Sequence, residues 1–244
     1  MTATAVDRET TATATPAIPP ARPWLALVTV TVLIATQVFS IVTSPPDRDM
    51  GNLEKILYIH VPAAWMALSA SLFVLVGSIL YLWKRDEKYD LIAASSAEAG
   101  TLFTALTVLL GSIWARPTWG TWWTWDARLT STAVLLLIYL GYLALRAATD
   151  DPERRARWSA AVGILGAINA GIVYKSVTWW RTIHQPQSSP ASMGLMYTWG
   201  LRLNAIAMLL VTIWFITARY RSMCLERAAA AKAEEAALGR RMSQ

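Results

Sequence analysis

Six long apolar stretches constrain the fold of this chain more than any other feature of its sequence. Each is about 20 residues long, enough for a helix to cross the hydrocarbon core of a bilayer, where backbone polar groups must be satisfied within the segment. The chain is 55% hydrophobic and only 16% charged. Alternating segments of about ten residues, the mark of a membrane β-barrel, are absent. We therefore predict an all-α integral membrane protein with six transmembrane helices, at roughly 24–42, 62–83, 91–114, 129–146, 158–174 and 201–220.

The first apolar stretch is typical of a membrane helix and not of a cleaved signal peptide. It is longer than the apolar region of a signal peptide, and residues 44–47 (Ser-Pro-Pro-Asp) stand where a small-residue cleavage site would be needed. Residues 1–23 are rich in Ala, Thr and Pro, so we expect a disordered tail there. The chain then divides into that tail, a membrane domain over 24–220 and a basic tail over 221–244.

Lysine and arginine are distributed unevenly between the two ends of the six predicted helices. Of the 22, 15 lie in the two tails and in the second and fourth loops, six lie in the other three loops, and Arg202 lies in the last span. Because positive residues stay on the cytoplasmic side, we expect both termini in the cytoplasm. The net charge of +6 then belongs to cytoplasmic loops and does not indicate a nucleic-acid surface. The outward-facing loops are 43–61, 115–128 and 175–200.

The second outward loop concentrates tryptophan, because five of the 13 in the chain fall within twelve residues. If this loop is helical, three of them share one face with Asp126 by the spacing i, i+3, i+4, i+7. Two interpretations stay open on physical grounds. The rings could form an aromatic belt at the membrane surface, or a flat shelf that binds a conjugated ligand by stacking. The five residues are Trp114, Trp119, Trp122, Trp123 and Trp125.

The only two histidines, His60 and His184, both fall in outward loops beside this tryptophan loop. Pro62 fits the first turn of the helix that follows His60. Trp180 stands four residues before His184, so a short helix would place the two on one face, and Pro186 would end it. Two neutral imidazoles suit the axial positions of haem iron, whereas a structural zinc site needs four ligands.

Several motifs of other functions are missing from the sequence. There is no C-x-x-C-H for covalent haem attachment and no G-x-x-x-x-G-K-[ST] for ATP hydrolysis. The single cysteine, Cys224, is expected to be an inert thiol. The chain is therefore expected not to be an enzyme, and any haem that the two histidines hold would be haem b without a covalent bond. Two alternatives remain: a bis-histidine membrane cytochrome that transfers electrons, and a small-molecule transporter whose tryptophans form only a belt.

Three segments together carry a resemblance to a known family. The tryptophan loop resembles the WWD motif of haem-handling membrane proteins. Segments 60–65 (His-Val-Pro-Ala-Ala-Trp) and 180–186 (Trp-Arg-Thr-Ile-His-Gln-Pro) resemble the two histidine segments of one member family, heme exporter protein C (CcmC). The resemblance covers roughly 24–220. Its motif reads Trp119-Gly120-Thr-Trp122-Trp123-Thr-Trp125-Asp126-Ala-Arg128.

The resemblance implies a function in cytochrome c maturation. Proteins of this family hold haem at the outer face of the bacterial inner membrane and load it onto a membrane-anchored haem chaperone. They work beside an ABC-type ATPase and permease and a small single-span subunit. Carried over, His60 and His184 would be axial ligands of the iron and Asp126 would lie at the edge of an aromatic platform. That platform would comprise Trp119, Trp122, Trp123 and Trp125.

Four charged residues near or within the spans are candidates for further roles. A cation near the haem propionates would stabilise their negative charge, and Arg128, Arg181 and Arg202 are on the outward side. Each could instead be an interfacial anchor. Glu98 lies about seven residues inside the third span, at the cytoplasmic end, where a carboxylate is costly. It could bond to another helix or contact a partner subunit.

Overall fold

The computed structural model describes residues 17–184 and 194–243. These residues form six long helices. All six are long and apolar enough to cross a membrane. This confirms the predicted all-α architecture with six spans. A short 3₁₀ helix, Asn52–Ile56, precedes the second helix. The helices are α1 (Pro23–Thr43), α2 (Leu57–Lys84), α3 (Glu87–Trp119), α4 (Ala127–Ala148), α5 (Pro152–Trp179) and α6 (Leu195–Met242).

Most of these helices extend past the apolar stretches because polar caps define their ends. Asp86, Asp126 and Asp151 precede α3, α4 and α5, and each accepts a hydrogen bond from a backbone N–H of the first turn. Pro152 follows one of these caps at the first helical position, which suits its fixed φ. Gly120 ends α3 with φ 76°, a left-handed conformation that glycine adopts without steric cost.

Small residues allow the helices to approach closely. A methyl group added at Gly77 of α2 would lie 3.0 Å from Cβ of Ala93 in α3, and one at Gly100 of α3 would lie 3.2 Å from the ring of Tyr139 in α4. In a bilayer the hydrophobic effect does not drive helices to associate, and close packing at small residues stabilises their association instead. The ring of Tyr139 is itself fully buried in a core cluster that residues of α2, α3, α4, α5 and α6 form.

Ion pairs join the helices at the end of the bundle that carries both termini, which we call the basic end. Arg146 of α4 donates two hydrogen bonds to Asp90 of α3, at 2.5 and 2.9 Å. Arg219 of α6 donates to Glu98 of α3 at 2.7 Å. The intramembrane carboxylate is therefore paired within the chain and links α3 to α6.

The two terminal segments meet at this same end. Nε of Arg221 in α6 donates to the carbonyl of Pro19 at 3.0 Å. Residues 1–16 of the expected tail lie outside the described part of the chain. α6 runs without a break through residue 220, and Met223 and Cys224 are buried against the bundle. The thiol of Cys224 packs in the same core cluster as Tyr139.

Candidate functional site

A cavity of about 790 Å³ lies at the end of the bundle opposite the basic end. Its volume falls within the range of about 300–1,000 Å³ typical of ligand and cofactor sites. Its walls come from α2 to α6 and from parts of the loops between them. Both His60 and His184 line it, together with Trp119, Trp123 and Arg128.

The position of His60 depends on an irregular first turn of α2. The helix begins at Leu57, so His60 lies in the first turn and Pro62 lies inside the helix, one turn deeper than the sequence predicted. Proline has no N–H to donate to the carbonyl of Tyr58, four residues earlier. Nε2 of Gln37 in α1 donates to that carbonyl instead, at 3.0 Å.

A glycine on α3 provides the space for the imidazole of His60. A methyl group at Gly111 would lie 3.1 Å from Cε1 of His60 and 3.7 Å from Nδ1. Nδ1 is buried and has no hydrogen-bond partner among the residues that the structure describes. The imidazole is held by packing against Gly111 and by an interaction with the backbone of Thr107, and its Nδ1 keeps bonding capacity for a ligand.

The tryptophan loop is helical only as far as Trp119, so the helical face that Trp119, Trp122, Trp123 and Asp126 were to share does not form. α3 ends at Trp119, and residues 120–126 form bends and extended backbone up to the cap of α4. The loop therefore divides its aromatic residues between the cavity and the surface, although Trp123 still meets Trp125 edge-on with centroids 5.9 Å apart. The rings of Trp119 and Trp123 line the cavity, whereas Trp122 and Trp125 are 58% and 83% exposed.

Asp126 joins the tryptophan loop to the segment that carries His184. One carboxylate oxygen accepts from the N–H groups of Arg128 and Leu129, which caps α4. The other accepts from the hydroxyl of Thr182 and from the N–H of Ile183, the latter at 3.0 Å. The resemblance implied that Asp126 lies at the edge of the aromatic platform. In the structure it is not part of the cavity lining and instead connects the start of α4 to the segment that carries His184.

These hydrogen bonds also set the charge state of Asp126. Burial acts to raise the pKa of its carboxyl group, but the hydrogen bonds from Thr182 and from the three backbone N–H groups outweigh that effect and lower the pKa. The carboxylate is thus ionised wherever the fold is intact at neutral pH, and its bonds to Thr182 and Ile183 are charge-assisted.

His184 approaches the cavity on an extended segment and not on a helix. α5 ends at Trp179, and residues 180–184 continue without helical turns, so the predicted stacking of Trp180 on His184 does not form. The imidazole instead meets the ring of Trp119 edge-on, with centroids 6.5 Å apart. Pro186, the predicted helix stop, lies outside the described residues.

Two of the three candidate arginines reach the cavity. Arg128 and Arg202 line it, whereas Arg181 lies outside its lining. Nη1 of Arg128 is buried and has no hydrogen-bond partner in the described part of the chain. The guanidinium of Arg202 lies over the ring of Trp199, 5.5 Å from its centroid. Arg128 is therefore a better candidate than Arg202 to bind an anionic group inside the cavity.

Sequence reasoning missed several lining residues. Trp114, which belongs to the tryptophan cluster but was not assigned to the platform, contributes a ring that meets Trp119 edge-on at 5.3 Å, and its buried Nε1 has no hydrogen-bond partner among the described residues. Asp47 and Glu54 add carboxyl groups to the lining. Gly111 and Trp114 are three apart and share a helix face. The relative rotation of α2 and α3 decides whether that face meets His60, and sequence spacing carries no information on it.

The donor set fits haem as a cargo. Two imidazoles, aromatic walls and a buried guanidinium match an iron with two open axial positions, a flat apolar macrocycle and anionic propionates. The fit includes unsatisfied buried atoms on His60, Arg128 and Trp114, which indicate a polar occupant in a cavity that is otherwise mostly apolar.

The residues that form this cavity fall within the match to a known family. The family model of heme exporter protein C (CcmC) matches residues 9–235. The chain belongs to the heme exporter protein C family. A CcmC relative in Bradyrhizobium diazoefficiens is 41% identical over 209 residues, which cover 84% of this chain and 79% of that protein.

Two further proteins named heme exporter protein C extend this comparison. The one from Paracoccus denitrificans is 33% identical over 86% of this chain and 88% of its own length. The one from Escherichia coli is 39% identical over 67% of this chain and 66% of its own length. The family match thus covers the first five helices of the CcmC fold described above and α6 as far as residue 235.

Proposed function

We propose that this chain binds haem b in its cavity and delivers it to a membrane-anchored haem chaperone during maturation of c-type cytochromes. Family membership supports haem handling in that process. The single observation that carries the proposal is the convergence of His60 and His184, the only histidines of the chain, on one cavity that Trp119 and Trp123 also line.

Each lining residue has a distinct part in binding. His60 and His184 supply two neutral imidazoles to the iron. Trp119 and Trp123 contact the macrocycle inside the cavity, and Arg128 neutralises a propionate. The exposed Trp122 and Trp125 extend the motif outward, where they cover the part of the haem edge that faces a partner. Gly120 lets the chain turn at the end of α3, so that the motif can follow this path.

The distribution of positive charge supports an orientation. The 15 Lys and Arg residues of the tails and the second and fourth loops favour a cytoplasmic position for the basic end. The cavity then opens on the periplasmic side of the bacterial inner membrane, where haem attachment to cytochromes c would follow. We further propose that an ABC-type ATPase and permease and a small single-span subunit work beside this chain, which carries no nucleotide-binding motif itself.

The test is an absorption spectrum of the protein purified in detergent after expression with ample haem. We expect a Soret band and the split visible bands of bis-histidine haem in the wild type. His60→Ala and His184→Ala should each lose most of this absorption, because either substitution removes an axial ligand. Trp83→Ala, a change at an exposed ring at the basic end of α2, is the matched control and should keep it.

Transfer distinguishes the proposal from its rivals. Mixing the haem-loaded protein with the apo form of its haem chaperone should move the Soret absorption to the chaperone. Stable haem that cycles its redox state but never transfers would favour an electron-transfer cytochrome. A wild type without haem, under ample supply, would contradict the proposal and favour a transporter whose tryptophans only anchor it in the membrane.

A further inference from the structure

The carboxylate of Asp126 uses its two oxygen atoms for two separate purposes. Oδ1 accepts from the N–H groups of Arg128 and Leu129 in the first turn of α4, at 2.9 and 3.0 Å. One side-chain oxygen is enough to cap a helix. Oδ2 faces a different segment, because it accepts from the hydroxyl of Thr182 and from the N–H of Ile183. The second oxygen therefore serves the segment that follows α5.

Thr182 extends this connection to the backbone of His184. Its hydroxyl donates to Asp126 and at the same time accepts from the N–H of His184, at 3.1 Å. Threonine hydroxyls commonly stabilise a local turn by accepting from the N–H two residues ahead. A continuous chain of hydrogen bonds thus runs from α4 through Asp126 and Thr182 to His184. We call it the Asp126–Thr182 relay.

The relay is anchored on a rigid part of the bundle. Asp126 directly precedes α4, and its carbonyl accepts from the N–H of Thr130 at 2.9 Å. The side-chain amide of Asn169 in α5 donates to the carbonyl of Ser131 in α4 at 2.9 Å, in the buried interior. The first turn of α4 also contributes to the cavity lining. The relay therefore ties the backbone of His184 to a helix that forms part of the cavity wall.

The two proposed iron ligands are consequently held in different ways. His60 belongs to α2, and Gly111 of α3 packs against its imidazole. His184 lies on a segment without helical turns, where the hydroxyl of Thr182 accepts from its backbone N–H. The backbone of His60 can move only with α2, whereas that of His184 can move when local hydrogen bonds open. Such local opening requires less free energy than the displacement of a packed helix.

We propose that Thr182 is the positioning residue for His184, and that opening of the Asp126–Thr182 relay makes His184 the exchangeable iron ligand while His60 stays bound. This inference rests on the proposed function, because it assigns an order to the two ligands of the same haem. A protein that hands on its cargo must hold it and also release it. One exchangeable ligand meets both needs, since a ligand from the recipient can bind at the axial position that His184 leaves.

The first test measures the relay in the full chain without haem. Amide hydrogen exchange around His184 is followed by mass spectrometry. Thr182→Val keeps the shape of the side chain and removes its hydroxyl. Exchange at Ile183 and His184 should rise by about tenfold or more, the factor expected for the loss of a hydrogen bond in a network with a charged group. Thr182→Ser restores the hydroxyl and should restore slow exchange.

The second test measures ligand exchange in the haem-loaded protein. After reduction with dithionite, carbon monoxide at saturating concentration binds at the rate at which an axial imidazole leaves the iron. Thr182→Val should raise this rate by about tenfold, and Thr182→Ser should return it to the wild-type value. Asp126→Asn should act like Thr182→Val, because asparagine caps a helix as well as aspartate does but presents an NH₂ group where the relay needs a second acceptor.

Thr178→Val is the matched control for both tests. It makes the same chemical change near the end of α5, where the exposed hydroxyl of Thr178 donates to the carbonyl of Lys175 within the helix. It should change neither the amide exchange around His184 nor the rate of carbon monoxide binding.

The possible results lead to different conclusions. Unchanged amide exchange in Thr182→Val would overturn the relay, whether or not the protein binds haem. Faster exchange with an unchanged carbon monoxide rate would mean that His60 is the ligand that leaves, and would overturn the assignment of His184. A wild type that holds no haem would overturn the proposed function and with it the ligand role of His184, whereas the exchange data would still show whether Thr182 holds the segment.

Discussion

At the residue scale, the glycine opposite His60 determines where the imidazole can lie. Gly111 belongs to α3, and its missing side chain leaves the imidazole in van der Waals contact with the helix. Protein interiors tolerate added volume poorly because neighbouring atoms must shift to accept it. Gly111 is therefore a positioning residue for the proposed iron ligand, although it has no group that could bind haem.

Gly111→Ala should displace His60 while preserving the fold. The new methyl group would lie 3.1 Å from Cε1 of the imidazole, closer than an ordinary contact, so the ring must tilt. We expect retained helix content, a weaker Soret band and a shifted haem reduction potential, measured by circular dichroism and by potentiometric titration. Gly171→Ala is the matched control, because a methyl group there meets no atom within 4 Å. Equal haem spectra and reduction potentials in Gly111→Ala and Gly171→Ala would show that the contact with α3 does not position His60.

At the element scale, the helices were predictable from sequence and the tryptophan loop was only partly so. Apolar stretches of sufficient length leave helix as the available structure in a bilayer, and six helices are found. Gly120 and Asp126 are the usual stop and start signals of helices, and giving them weight would have predicted the break between α3 and α4. No comparable signal predicts that Asp126 reaches Thr182, because that contact joins residues 56 apart through the packing of the helices.

The first turn of α2 depends on a hydrogen bond from another helix. Pro62 leaves the carbonyl of Tyr58 without its usual partner, and Gln37 of α1 supplies one. Gln37→Leu should therefore lower the free energy of unfolding by about 1–3 kcal/mol, the cost of an unsatisfied buried polar group. It should also weaken haem binding, because His60 lies in this turn.

A double-mutant cycle with Pro62→Ala isolates this interaction. Alanine at position 62 restores the N–H that can bond to Tyr58 within the helix, so Gln37→Leu should cost less in that background. Unfolding is followed by circular dichroism in detergent. The control is Thr43→Val, which removes an exposed hydroxyl that donates only within α1. Equal costs of Gln37→Leu in both backgrounds would contradict the assigned role.

At the scale of the whole molecule, the groups that stabilise the bundle and the groups of the site lie at opposite ends. A buried ion pair ties α3 to α4 and a half-buried one ties α3 to α6 near the termini. The other end holds the cavity, where nitrogen atoms of His60, Trp114 and Arg128 lack partners among the described residues; at the basic end Arg155 alone has such nitrogen atoms in the described part of the chain. Unpaired polar groups destabilise a fold, and proteins keep them where a ligand satisfies them. Stability and binding should therefore respond to different sets of substitutions.

Arg146→Met should destabilise the protein without changing the haem spectrum of the folded fraction. It leaves the carboxylate of Asp90, which is 4% exposed, without its partner. Breaking such a buried pair costs about 3–5 kcal/mol, whereas replacing both members with apolar residues costs less. Thermal unfolding should therefore order the variants as wild type, Asp90→Leu with Arg146→Met, then Arg146→Met alone.

The control for this comparison is an exposed pair at the same end. Lys88 and Asp86 lie 2.8 Å apart, and both are nearly half exposed. Lys88→Met should change the unfolding temperature very little, because exposed pairs contribute about 0–1 kcal/mol. A loss of haem absorption in folded Arg146→Met would show that the two ends of the bundle are not independent.

The length of α6 has a geometric consequence for any assembly. Beyond Arg227, which still pairs with Glu87 of α3, the helix continues from Ala229 to Met242 for about 20 Å, two-thirds of the thickness of the hydrocarbon core. Residues 229–243 are all exposed along this rod. A neighbouring subunit that sits directly beneath the bundle must either stand off by that distance or lie alongside the rod. The projecting part of α6 thus sets the distance between the bundle and such a neighbour. A spectroscopic label at its end would report that distance.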